Sequence, residues 1–132
     1  MSNIKTIEWV LRIAIFGEFL GHGLIGLGGK KEWIGWVGQL TGVPEVQAVQ
    51  LLSLVGLLDI AIGLTILIKP LRPVVLWAAI WGFWTALLRP VVGESVLDFV
   101  ERGANWGAPL ALFLLLGLSK KLKNLQNSSK ES

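Results

Sequence analysis

From Ile7 to Leu27 the chain is apolar or glycine at almost every position, and at about 1.5 Å per residue a helix over that run is long enough to cross a bilayer. Glu18 sits near its middle, where a carboxylate costs roughly 2.5 to 3.5 kcal/mol. Such residues are therefore rare and face a bundle interior or a wet cavity. His22 follows four residues later on the same helix face. A chain that carries two ionisable groups inside an apolar span must bring partners to them from other helices.

With 53% hydrophobic and 16% charged residues over 132 positions, the sequence is too apolar for an ordinary soluble domain and reads as one integral membrane domain. Sixteen glycines and seven tryptophans fit that class, because small residues let membrane helices approach closely and tryptophan anchors at interfaces. Cysteine is absent, which removes thiol chemistry, disulfides and thiolate metal sites. The net charge of +3 is small and follows from loop placement, so nucleic acid is set aside as a partner. The first apolar run is too long for a signal-peptide core and no Ala-x-Ala-like site follows it, so that helix is expected to stay in the protein.

Four spans are predicted, over about residues 7–27, 45–68, 73–92 and 98–118, with a polar lysine-rich tail over 119–132. Gly28 and Gly29 end the first. Trp33, Trp36, Val37 and Leu40 then recur at three- and four-residue steps, the pattern of a short amphipathic helix lying in the interface. Pro44 with Glu45 opens the second span and Pro73 the third, while Pro90 marks an end or a kink. Ser95 to Asp98 resembles a capping box for the fourth. Inside it Pro109 cannot donate to the Asn105 carbonyl, which frees a backbone acceptor beside a polar side chain. Gly17-x-x-x-Gly21 and Gly103-x-x-x-Gly107 match the close-packing pattern and predict contact between helices one and four. The expected fold is all-α, an integral membrane four-helix bundle with a short interfacial helix between helices one and two.

Counted up from the chain-terminal ends, Asp59 and Glu18 lie about 14 to 16 Å into the bundle, and Asn105, His22 and Arg89 about 21 to 24 Å. The predicted ligand-binding set is Glu18, His22, Asp59, Trp81, Trp84, Arg89 and Asn105. Arg89 is expected to pair with the carboxylates, and the Trp77, Trp81 and Trp84 stripe offers a flat wall for a planar ligand or lipid-facing packing. The competing reading is a set of structural polar contacts that hold the helices together. No metal site is expected. One histidine with scattered carboxylates is thin ligation and cannot supply two axial haem ligands.

Leu11-Arg12, Gly21-His22-Gly23-Leu24, the Gly42-Val43-Pro44 turn, Asp59 followed by Gly63, and the run from Arg102 through Asn105 to Pro109 together resemble the DoxX family of small four-helix membrane proteins. The resemblance covers about residues 7–118. Asp59 stands where the family commonly shows glutamate, which keeps the charge and shortens the reach. The resemblance implies a membrane subunit associated with a quinone-linked oxidoreductase, such as thiosulfate:quinone oxidoreductase, with a bound quinone as ligand and a redox partner subunit. No redox centre is expected in the chain itself. Alternatives from other classes are a small proton-coupled transporter, a sterol- or lipid-binding bundle of the EXPERA kind, and an assembly factor without ligand. The sequence leaves open whether the chain is catalytic and whether it forms a homo-oligomer.

With four spans, Lys5, Lys69, Arg72, Lys120, Lys121, Lys123 and Lys130 fall on the side of the termini, against Lys30 and Lys31 in the opposite loops. The bias places both termini in the cytoplasm of a cell with an inner membrane. A reporter active only outside the cytoplasm, fused after Ser132, is expected to give no signal; a strong signal would reverse the topology.

Overall fold

The computed structural model describes residues 2–131. They form six helices, with no strand among the described residues: α1 (Asn3–Leu27), α2 (Lys31–Thr41), α3 (Glu45–Ile68), α4 (Arg72–Val91), α5 (Val96–Val100) and α6 (Gly103–Glu131). Three of these, α1, α3 and α4, are long and apolar enough to cross a membrane. Large apolar side chains such as Val10, Leu54, Leu57 and Ile80 point outward, as suits helices solvated by lipid. The short helices α2 and α5 join long ones at one end of the molecule, the lid end. The chain termini and the α3–α4 turn lie at the other.

Each helix boundary has a local cause. Ser2 caps α1 by accepting from the Lys5 amide. Gly29 (φ 72°) and Gly42 (φ 73°) take the left-handed conformation on either side of α2, which a residue with a Cβ adopts only at a cost. Ser95 caps α5 through the Leu97 amide, as the Ser95–Asp98 pattern predicts. The fourth predicted span is nevertheless broken. The Arg102 guanidinium takes the Asp98 carbonyl at 2.9 Å, the acceptor that a continuous helix would offer to the Arg102 amide, and that amide bonds instead to Phe99. The helix therefore tightens into a turn at Glu101 and Arg102 and restarts at Gly103. α6 then runs to Glu131, through residues expected to form a tail. Its apolar stretch, residues 103–118, is shorter than the roughly 20 residues of an ordinary span.

The long helices pack as two close pairs, α1 with α3 and α4 with α6, and α1 also touches α6. Glycine makes each pair close. A Cβ on Gly23 would lie 2.6 Å from the Gly56 carbonyl oxygen, and one on Gly56 2.7 Å from the Gly23 oxygen, so the two backbones meet without side chains between them. On the other side, a Cβ on Gly82 would run into the Asn105 carbonyl. That carbonyl is the one Pro109 leaves without its helical donor, and Pro109 is fully buried. The Gly17/Gly21 and Gly103/Gly107 pairs, predicted to mediate contact, have open space where a Cβ would go. Spacing alone did not reveal which glycines face a neighbour.

Toward the terminal end the pairs close over a dry core that includes Ile15, Phe19, Ile66, Val75 and Leu112. Just beyond it, Arg12 is buried to 5% exposure and reaches the last carbonyls of α3: Nε donates to Ile66 at 3.1 Å, and Nη2 donates to Leu67 and to Ile68. Glu8, equally buried, holds Arg12 at 3.5 Å, and the guanidinium lies over the Trp9 ring. A cation against a helix C-terminus satisfies acceptors that have no helical donor and opposes the helix dipole favourably.

These contacts set a stability expectation. Gly56→Leu should force α1 from α3 and lower stability by about 1–3 kcal/mol or more, read as a lower thermal midpoint in detergent. Gly17→Ala, with open space around it, should leave the midpoint unchanged or raise it.

Candidate functional site

Because α3 and α4 touch only sparingly, the two pairs diverge toward the lid end and leave a cavity of about 170 Å³ between them. α2 covers it. The apolar face of α2, Trp33, Trp36, Val37 and Leu40, turns toward the cavity, while α1 contributes His22 and Gly26, α3 Gly56 and Asp59, α4 Trp81, Trp84 and Arg89, and the start of α6 Asn105. The same glycines that bring α1 and α3 together thus form part of the wall.

Six of the seven predicted site residues, His22, Asp59, Trp81, Trp84, Arg89 and Asn105, line this one cavity. Glu18 does not. It lies one turn from His22 on α1, half-buried and close enough to Asp59 for the two carboxyls to interact. Asp59 is 6% exposed at the inner end of the cavity, with the Trp81 side chain in hydrogen-bonding reach of its carboxyl. Trp81 also stacks on Trp77, with ring centres 5.8 Å apart. At the outer end His22 meets the Trp33 ring edge-on at 5.8 Å, and Trp33 stacks on Trp36.

Arg89 is the residue whose surroundings differ most from expectation. It was expected to pair with Glu18 and Asp59, yet its guanidinium lies 4.5 Å over the Trp36 ring and 3.9 Å from Glu94. The cause is the α4–α5 loop, which folds back so that the Glu94 amide donates to the Arg89 carbonyl at 2.9 Å. Among the described residues no ion pair reaches Glu18 or Asp59. Arg102 joins Arg89 in the cavity wall and Lys30 sits over Trp33, so the outer end is cationic and the inner end carries the carboxyls.

Three polar atoms of this lining are buried with no hydrogen-bond partner: Asp59 Oδ1, Arg89 Nε and Trp33 Nε1. A buried polar group without a partner costs about 1–3 kcal/mol, more when charged, and protein interiors rarely leave one so. The cavity therefore holds one acceptor and two donors ready for a guest. Among the described residues no three His, Asp or Glu side chains gather as a metal site. Trp33, Trp36 and Arg102 were not in the predicted set. The 33, 36, 37, 40 spacing did carry the signal for an apolar face, but not what that face covers.

The lid is held on one side by carboxyls. Glu32 of α2 and Glu94 of the α4–α5 loop lie within hydrogen-bonding reach, and that bond, with partial burial and the repulsion of Glu32, raises the Glu94 pKa above the ordinary carboxyl range despite Arg89 nearby. An acid whose pKa is raised by closure stabilises the closed form below its ordinary pKa, and this contribution is lost as pH rises through the elevated value. Amide exchange across α2 is thus expected to quicken as pH rises through that window, after correction for intrinsic exchange. Glu94→Gln, which keeps a neutral hydrogen-bonding group, should flatten the dependence; an unchanged profile would remove Glu94 as its source. Comparison with protein families, with curated proteins and with solved structures finds no match, so the functional reading rests on the chain's own residues and geometry.

Proposed function

We propose that this chain is a four-span bundle of the inner membrane, with both termini cytoplasmic, whose cavity opens toward the outer leaflet and binds the ring of a hydrophobic small molecule, a quinone-class ring first. The observation that carries this reading is the cavity with unpartnered Asp59, Arg89 and Trp33 atoms between tryptophan walls. A purely structural polar cluster would be expected to pair its own donors and acceptors. The volume of about 170 Å³ is close to the roughly 150 Å³ that admits a benzene ring. It suits a single ring better than the fused body of a sterol, and a long tail would extend between helices into lipid. Trp81 and Trp84 offer faces for stacking, and Asn105 and Arg89 offer donors to ring oxygens.

The fourth crossing falls to α6, whose short apolar stretch is extended by the long side chains of Arg102 and Lys120 reaching toward the two headgroup layers. The DoxX resemblance supports quinone as the ring and a membrane oxidoreductase as the setting, with electrons supplied and removed by a partner subunit. Glu18, His22 and Asp59 give protons a place to reside beside the ring.

Titrating a short-chain benzoquinone into protein in lipid nanodiscs, with tryptophan fluorescence as readout, tests this. Saturable quenching is expected in the wild type, weakened about tenfold in His22→Ala and abolished by Val55→Phe, which fills the cavity from α3. Identical linear quenching in all three proteins would mean that the quinone only partitions into lipid, and the ring-site reading would fall.

A further inference from the structure

We propose that the cavity selects a ring that donates a hydroxyl to Asp59 while accepting at its opposite edge from Arg89 and Trp33, and so prefers a hydroquinone to the corresponding quinone. This rests on the ring-site reading above and adds the direction of each hydrogen bond.

The polarity of the unpartnered atoms decides it. Asp59 Oδ1 is an oxygen buried without a donor, in a residue 6% exposed. Arg89 Nε and Trp33 Nε1 carry N–H groups that only donate, and both are buried without an acceptor. The two kinds of atom sit at opposite ends. Trp81, whose side chain reaches Asp59, precedes Arg89 by eight residues on α4, about 12 Å along the helix axis. Trp33 reaches the outer end from the lid, beside His22. Trp106 Nε1 is also unpartnered, but it packs against Phe83 outside the lining and plays no part.

A quinone presents only acceptors. One of its carbonyl oxygens suits the N–H groups of Arg89 and Trp33, but the other is set against the Asp59 carboxyl oxygen. A hydroquinone hydroxyl both donates and accepts, so one hydroxyl donates inward to Asp59 and the other accepts from Arg89 and Trp33 at the outer end. A ring without oxygens would leave all three atoms as they are. A molecule with a single hydroxyl, such as a sterol, would answer one end only. The Trp81 side chain, a donor within reach of the Asp59 carboxyl, already treats that carboxyl as an acceptor.

The test compares a methylated benzoquinone with its hydroquinone, each titrated anaerobically by calorimetry into the protein in lipid nanodiscs, with empty nanodiscs subtracted. The hydroquinone is expected to bind roughly ten- to a hundredfold more tightly, the range of leaving one buried acceptor unanswered. Asp59→Asn, whose amide both donates and accepts, should bring the two affinities within about threefold. Asp59→Glu should keep the preference for hydroquinone, and Trp33→Phe should weaken both ligands. Equal or reversed affinities in the wild type, with saturable binding, would overturn the inference and leave the ring site standing. An undiminished preference in Asp59→Asn would also overturn it, because the acceptor would then lie elsewhere. Absence of saturable binding of either form would overturn both the inference and the ring site. If neither Asp59 variant folds, the wild-type ratio alone decides.

Discussion

Backbone-to-backbone approach at glycine is the constraint from which the rest of this architecture follows. Helices solvated by lipid gain little from hiding apolar side chains against one another, so close packing and polar contact must hold them. Gly23 against Gly56, and Gly82 against the Asn105 carbonyl, let two pairs of helices close where a single methyl group would intervene. Pairs drawn in so tightly cannot also stay parallel to each other along their whole length. Where they part, the fold has an opening between α3 and α4, and α2 has a place to lie.

Much of this was legible in the sequence because it depends on period and composition. The helices α1, α3 and α4, the α2 segment and the turns at Gly28, Gly42 and Pro73 follow from apolar run length and breaker residues. The convergence of six polar and aromatic positions on one cavity followed from counting residue heights along helices. What the sequence hid is rotational and long-range. It could not say that Gly23 rather than Gly21 faces a neighbour, since both sit on the same helix two residues apart. The reach of Arg12 across more than fifty residues to the end of α3 was equally hidden, because spacing pointed only to its helical partner Glu8. Arg89 turned toward Glu94 for a similar reason: a loop hydrogen bond, invisible in any periodicity, brings that carboxylate to it.

The two ends of the bundle treat charge in opposite ways. At the terminal end Glu8, Arg12 and the α3 carbonyls answer one another completely, and the core beside them is dry. At the lid end the charges are only loosely matched, and donors and acceptors face an open space. Buried networks that are fully satisfied tend to rigidify, whereas partly satisfied ones are costly to keep. Stability is thus concentrated in one half of the molecule and binding potential in the other.

The lid has a consequence of its own. α2 buries none of its residues fully, and it is tied to the bundle by left-handed glycines at Gly29 and Gly42, with Gly93 (φ 100°) in the loop that faces it. Segments with few buried contacts open at low free energy and do so without unfolding their neighbours. How long a guest stays is therefore governed by an element that contributes little to which guest fits. Residence time and selectivity are written in separate stretches of the chain, and each can drift without disturbing the other.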